Sequence, residues 1–104
     1  MEAVFVALAD PTRRLLLERL RAGAGQPISA LGRDLPISRQ AVTKHLTVLR
    51  EAGLVRVRRA GREQINELEP TPLREVADWL APYAAEWDAR LDALRHHLDG
   101  EESA

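Results

Sequence analysis

The chain has 104 residues, 45% of them hydrophobic, no cysteine and a formal net charge of -1, which fits one small domain whose burial in an oligomer would add stability. Without cysteine, disulfides, thiolate metal centres and cysteine catalysis are excluded. No apolar run approaches the roughly 20 residues that a bilayer-spanning helix needs, and no basic-plus-apolar leader opens the chain, so the expected compartment is the cytoplasm.

The first nine residues, with Val4, Phe5, Val6 and Leu8, read as a short helix. Asp10-Pro11 starts the next one: the aspartate accepts backbone N–H groups as N-cap, and proline fits the first helical position. Leu15, Leu16, Leu17 and Leu20 supply its apolar stripe, and Gly23 and Gly25 are expected to stop it. Pro27 leads into a short helix holding Ile28, Leu31 and Leu35, which Pro36 is expected to end by pushing its predecessor out of helical geometry. Ser38 is the next N-cap, with Ile37 and Val42 placed for a hydrophobic staple. Val42, Leu46 and Leu49 recur at four- and three-residue spacing, one buried face, and Gly53 closes the helix. Two short helices joined by very few residues, Pro36 and Ile37, make a helix-turn-helix, whose second helix can enter a DNA major groove.

From Leu54 the period changes to two. Val55 and Val57 alternate with Arg56 and Arg58, and after Ala60-Gly61-Arg62 the run EQINEL continues to Leu68. This predicts a β-hairpin with Gly61 at its tip, valines inward and arginines outward. The tail from Pro72 is helical again. Leu73, Val76, Leu80, Tyr83, Trp87, Leu91, Leu94 and Leu98 form a nearly heptad seam with a stutter at Trp87. Pro82 lies inside that pattern and predicts a kink or break near Ala81. Trp79 adds a second apolar face, which a partner chain would cover.

The near-neutral total hides a polarised distribution. Residues 33–62 hold eight cations against Asp34 and Glu51, net +6, whereas residues 63–104 are net -8. A basic centre over a helix-turn-helix makes a polyanion the expected partner.

The expected architecture is a winged helix-turn-helix, mainly α with a small β-hairpin. It forms one domain over 1–104: helix-turn-helix about 28–52, wing about 54–68, C-terminal helix about 72–99. The stretches LADPTRRLLLERL and ISRQAVTKHLTVLREAGLVRVRRAGRE resemble the arsenical-resistance-repressor (ArsR) family of bacterial transcription factors, from Val4 to Leu98. The resemblance implies a homodimeric winged-helix repressor that dimerises through its N- and C-terminal helices, here Val4, Phe5, Leu8, Trp79, Tyr83, Trp87, Leu91, Leu94 and Leu98. Many members sense metals, and here the chain departs from the pattern. The cysteine sites are impossible, and Asp88, Asp92, His96, His97 and Asp99 do not reproduce the carboxylate-histidine spacing. No metal or cofactor is expected, and the two histidines read as a solvated helix end.

A helix in the major groove presents its N-terminal side chains to base edges. Arg39, Gln40, Thr43 and Lys44 lie off the Val42/Leu46/Leu49 face and are candidates; Arg and Lys suit guanine, Gln suits adenine. Ser38 either caps alone or also meets phosphate. His45 either meets phosphate or packs beneath the helix, and its spacing from Val42 and Leu49 favours packing. Arg58, Arg59 and Arg62 suit phosphate or the minor groove, although a charged edge strand also blocks aggregation. Arg13 and Arg14 stay open between phosphate and a salt bridge. Trp79, Tyr83 and Trp87 read as dimer core in preference to a small-molecule site, and no effector is identified. The expected function is a sequence-specific regulator of double-stranded DNA, a homodimer on an imperfect palindrome with half-sites about 34 Å apart or a multiple of that. The competing reading is a winged-helix protein-interaction module. No nucleophile-base pair, phosphate loop or carboxylate pair supports an enzyme.

Overall fold

The computed structural model describes residues 1–102. Their order is α1 (Glu2–Leu8), α2 (Pro11–Gly23), α3 (Ile28–Leu31), α4 (Arg39–Glu51), β1 (Val55–Ala60), β2 (Glu63–Leu68) and α5 (Thr71–Glu102). Two compact units result. The first, Met1–Arg74, holds α1 to α4 and the hairpin; the second, from Glu75 onward, is the remainder of α5.

The first unit is built around leucine. Leu16 and Leu20 of α2, Leu31 of α3, Leu49 of α4 and Leu54 before the hairpin are almost fully buried, joined by Val42 and Val55. The expected α4 face, Val42/Leu46/Leu49, is the one buried. Asp10 accepts from the Arg13 backbone N–H at 3.0 Å and Pro11 occupies the first turn of α2, as the sequence indicates. Ser38 caps α4 by accepting from the Ala41 N–H at 3.1 Å. Gly53 follows α4 with φ +78, and the Leu54 N–H closes the end on the Leu49 carbonyl at 2.9 Å.

Three expectations need correction. The helix ahead of α4 stops at Leu31, not at Pro36, so the connection between α3 and α4 is residues 32–38 rather than Pro36 and Ile37 alone. Gly32 breaks it first, with its N–H on the Ile28 carbonyl, and Asp34 then turns left-handed at φ 66. A polar side chain tolerates that conformation. Second, Gly25 lies past the stop: α2 ends at Gly23, as expected, and the residue that turns left-handed is Ala24 at φ 60. Third, α5 continues through Pro82 without a break. A proline costs one backbone hydrogen bond, and the helical residues on either side hold the segment.

The hairpin pairs Val55 with Leu68 through Ala60 with Glu63. Gly61 at its tip has φ +63, the backbone that a two-residue loop with glycine first requires. A third piece of strand meets it. Gln26 and Asn66 exchange both backbone bonds, N–H to carbonyl at 2.9 and 2.8 Å. The buried Asn66 side chain adds a third bond, Nδ2 donating to the Gln26 carbonyl at 3.3 Å. Gln26 in turn donates its side-chain amide to the Arg19 carbonyl at 2.9 Å. Arg19 donates to the Leu31 and Arg33 carbonyls at 2.8 and 2.7 Å. A chain of hydrogen bonds thus runs from hairpin through α2 to the end of α3.

This junction is tight. A methyl group on Gly25 would lie 2.7 Å from Ile65 Cγ2 and 3.1 Å from Glu67 Cγ. Gly25→Ala should therefore destabilise the protein by about 1–3 kcal/mol, as overpacking usually does. Urea denaturation checks this; unchanged stability would mean that the hairpin shifts freely.

Candidate nucleic-acid interface

The exposed side of α4 carries Arg39, Gln40, Thr43 and Lys44, all solvent-facing. Arg39 and Thr43 share a stripe with Thr47 and Arg50, which continue it at helical spacing. Together with Ile28, Leu46, Val57, Gln64 and Asn66 they line a groove of about 210 Å³ between α4 and the hairpin. Sequence reasoning did not single out Thr47, Arg50 or Gln64. The signal for the first two was the four-residue step from Thr43 and the eleven-residue step from Arg39; Gln64 depends on hairpin register.

Both threonines are tied to their own helix. Thr43 Oγ1 donates to the Arg39 carbonyl at 3.0 Å, and Thr47 Oγ1 to the Thr43 carbonyl at 2.9 Å. Their methyl groups are therefore held in one rotamer. Arg39 also borders a hollow with Ser29, Arg62, Glu63 and Gln64. The structure thus brings Arg39 of α4 and Arg62 of the wing tip to one depression.

The other wing arginines differ from one another. The Arg59 side chain is exposed and shows no hydrogen bond or ion pair among the described residues. Arg58 is ion-paired to Glu67 across the strands. Arg56 bonds Glu67 at 3.2 Å and Glu69 at 2.8 Å. The Glu67 carboxyl is held below the usual range, chiefly by the Arg58 hydrogen bond and further by Arg56. Glu69 is lowered chiefly by the Thr71 hydroxyl that donates to it at 2.6 Å.

His45 lies elsewhere. It is part-buried against α2, where Arg13 donates to its Nδ1 at 3.4 Å and the Asp10 carboxylate lies 3.9 Å from the same atom. Arg13 and Arg14, undecided from sequence, both cap α1. Arg13 donates to the Ala7 carbonyl at 2.7 Å and to Val6 at 3.0 Å, and Arg14 to Leu8 at 2.7 Å. The Asp10 carboxyl is lowered first by the Arg13 backbone N–H and less by the His45 and Arg13 charges.

The apolar residues expected at an interface between chains divide in two. Val4 is buried within its own chain, with Ala7. Leu8 is half-buried, while Phe5 and Val6 are exposed on α1. On α5, Trp79, Tyr83, Trp87, Leu91, Leu94 and Leu98 are all open to solvent, Tyr83 and Trp87 by about 60%. Trp79 and Tyr83 stack at 5.1 Å, tilted by 47°. Such a continuous apolar face on a water-exposed helix marks an interaction surface. Among the described residues no group of three or more His, Asp and Glu is arranged to hold a metal, and no helix is long and apolar enough to cross a membrane.

Comparison with known proteins adds identity to geometry. A helix-turn-helix domain model matches residues 8–58. The chain is 41% identical over 95 residues to the HTH-type transcriptional regulator Rv2034 of Mycobacterium tuberculosis, covering 91% of this chain and 85% of that protein. An ArsR-like transcriptional regulator from Rhodococcus sp. RHA1 is 42% identical, with a TM-score of 0.70 over 91% of this chain and 89% of that one. A homodimeric winged helix-turn-helix DNA-binding domain from Mycobacterium bovis is 25% identical, with a TM-score of 0.61 over 88% of this chain and 81% of that one.

The wing ion pairs set an acid limit. A carboxylate whose folded pKa is depressed stabilises the fold above its unfolded value, about 4.3 for Glu, and loses that contribution as pH falls through the folded value. Wild type should therefore be more stable than Glu67→Gln at pH 7, and the difference should shrink as pH falls below the usual glutamate range. Denaturation across an acid series reads this directly, and a gap independent of pH would count against the ion pair.

Proposed function

The chain belongs to the ArsR family of winged helix-turn-helix transcriptional regulators, and on that premise we propose that it is a homodimeric repressor that reads an imperfect palindrome of double-stranded DNA in the cytoplasm. One observation carries this reading: an exposed face of α4 with Arg39, Gln40, Thr43 and Lys44 stands beside a wing whose Arg59 and Arg62 are solvent-facing.

In this reading Arg39, Gln40 and Lys44 meet base edges or neighbouring phosphates in the major groove. Arg and Lys pair with guanine O6/N7, and Gln with adenine N6/N7. The Thr43 methyl, held by its hydroxyl bond, offers an apolar contact of the kind that suits thymine. Ser38 keeps its capping role at the end nearest the groove floor. Arg59 and Arg62 hold phosphate or the minor groove at the wing, and Arg58 joins them by exchanging Glu67 for phosphate. Repression follows by occupancy, since a bound dimer covers DNA that other proteins need. The apolar faces of α1 and α5, Phe5 and Leu8 on one and Trp79, Tyr83, Trp87, Leu91, Leu94 and Leu98 on the other, are the surfaces we assign to dimerisation. A protein-interaction module has no comparable use for a central segment of net +6, and the regulators it resembles favour DNA. Catalysis plays no part in this reading.

The test is fluorescence anisotropy with the DNA immediately upstream of its own gene, against a scrambled duplex, across a salt series. Preference for the upstream DNA with a steep salt slope is expected; equal binding or none would overturn sequence-specific regulation at that site. Arg39→Ala should cost about 1–3 kcal/mol and relax discrimination, whereas Arg62→Ala should weaken all duplexes alike and reduce the salt slope by about 1. Trp87→Ala should shift the protein towards monomer in analytical ultracentrifugation. A variant that stays dimeric at low concentration would remove Trp87 from the interface.

A further inference from the structure

We infer that Arg13 and His45 are positioning residues for DNA binding, which fix the recognition helix to α1 rather than touching DNA themselves. This inference rests on the DNA-binding reading of α4 above.

One guanidinium serves two elements. Arg13 stands in the first turn of α2 and donates Nε to the Ala7 carbonyl, one terminal nitrogen to the Val6 carbonyl and the other to His45 Nδ1. Val6 and Ala7 close the last turn of α1, and His45 lies in the middle of α4, one residue after Lys44. A guanidinium only donates. The bond to His45 therefore requires an unprotonated Nδ1 and places the imidazole proton on Nε2. Asp10 completes the cluster: its carboxylate accepts the Arg13 backbone N–H at 3.0 Å and lies 3.9 Å from Nδ1. The groups facing His45 from α2 are thus Arg13 and Asp10. Among the described residues, α1 joins the cluster through the Val6 and Ala7 carbonyls that Arg13 reaches, and Lys44 is adjacent to His45 in α4.

The chemistry gives opposite signs for the two possible roles of His45. An imidazole that binds phosphate does so better as a cation, so DNA affinity would rise on acidification. An imidazole that accepts from Arg13 fails once protonated: Nδ1 becomes a donor and two cations face each other at the position of the bond. Asp10 then competes as the new partner of His45, and α4 is pulled away from its seat on Arg13. DNA affinity then falls with pH. The Nδ1 position explains which conservative change rescues. Asparagine places an amide oxygen near that point, accepts from Arg13 and does not titrate.

The experiment uses the full chain and a duplex selected in vitro from a random pool by the wild-type protein. Affinity is measured from pH 8 to pH 5.5 for wild type, His45→Asn, His45→Leu and Arg13→Gln. Wild type is expected to lose about tenfold in affinity on acidification. His45→Asn should bind within a few-fold of wild type at pH 8 and show a flat profile, and His45→Leu should be weak throughout. Arg13→Gln should be about tenfold weaker at pH 8 and insensitive to His45 protonation. Affinity that rises on acidification in wild type, and no longer does so in His45→Asn, overturns the inference in favour of phosphate contact. So does an Arg13→Gln protein that binds like wild type.

Nitrogen NMR of the free protein provides a readout that needs no DNA. His45 Nδ1 should appear unprotonated at pH 8 and shift in Arg13→Gln, with faster amide exchange along α4. An unchanged nitrogen resonance and unchanged α4 protection overturn the inference. If the selection yields no duplex, the DNA-binding reading fails, and the nitrogen spectra still decide whether Arg13 holds α4. Should Arg13→Gln fold poorly, the wild-type and His45→Asn profiles decide alone.

Discussion

The exchange of two backbone hydrogen bonds between Gln26 and Asn66 is the joint on which the reading surface depends. A two-stranded hairpin alone is marginal in water. Here its second strand is pinned to the helical body forty residues earlier in sequence, at a buried asparagine whose backbone and side-chain amide all bond the Gln26 backbone. The Gln26 side chain continues the link to α2, and Arg19 carries it to the end of α3. The distance between wing and recognition helix, and hence the width of the groove lined by Arg39, Thr47, Arg50 and Gln64, follows from this joint. Removal of one partner would leave a buried amide without its bond, which typically costs about 1–3 kcal/mol. An apolar replacement would therefore loosen the wing without emptying the leucine core.

On the opposite side of α4 the constraint is ionic. Arg13 gathers the end of α1, the start of α2 and the middle of α4 within a few ångströms. The two sides of α4 are thus held by different physics: neutral amide bonds fix the hairpin, and a guanidinium bonded to two carbonyls and an imidazole meets α1. The apolar faces of α1 and α5 stay uncovered in a single chain, and pairing of chains is the economical way to remove them from water.

Much of this was legible in the sequence, for identifiable reasons. Asp10-Pro11 and Ser38 are N-caps that act through their nearest neighbours, so local chemistry alone places the starts of α2 and α4. The Val42/Leu46/Leu49 spacing and the change to period two at Leu54 reflect single faces, and these survive folding unchanged. What failed were ends and long-range partners. The stop of α3 at Leu31 depends on Gly32 and on Asp34 turning left-handed, and tertiary bonds from Arg19 decide it over Pro36. Pro82 breaks isolated helices, yet here the helix continues through it. The Gln26–Asn66 pair has no local signature, because two ordinary amides forty residues apart carry no spacing rule. Of the candidate DNA-binding residues, Arg39 and Thr43 fall in the groove, Gln40, Lys44, Arg59 and Arg62 face solvent, and His45 is part-buried against α2. The Arg58–Glu67 pairing was hidden, since it depends on a cross-strand diagonal that only the register reveals.

That pairing bears on how a regulator finds its target. Every cation that reaches DNA displaces counterions, and this term is blind to sequence. On the DNA-binding reading proposed above, Glu67 acts as a counterion that the protein carries with it, occupying Arg58 until a phosphate is well enough placed to replace it. On that reading, the carboxylate retains the arginine on random DNA, where fit is poor, and residence is short. The ion pair would then set how briefly the protein lingers at each wrong site, and a shorter dwell leaves more time to sample the rest of the chromosome.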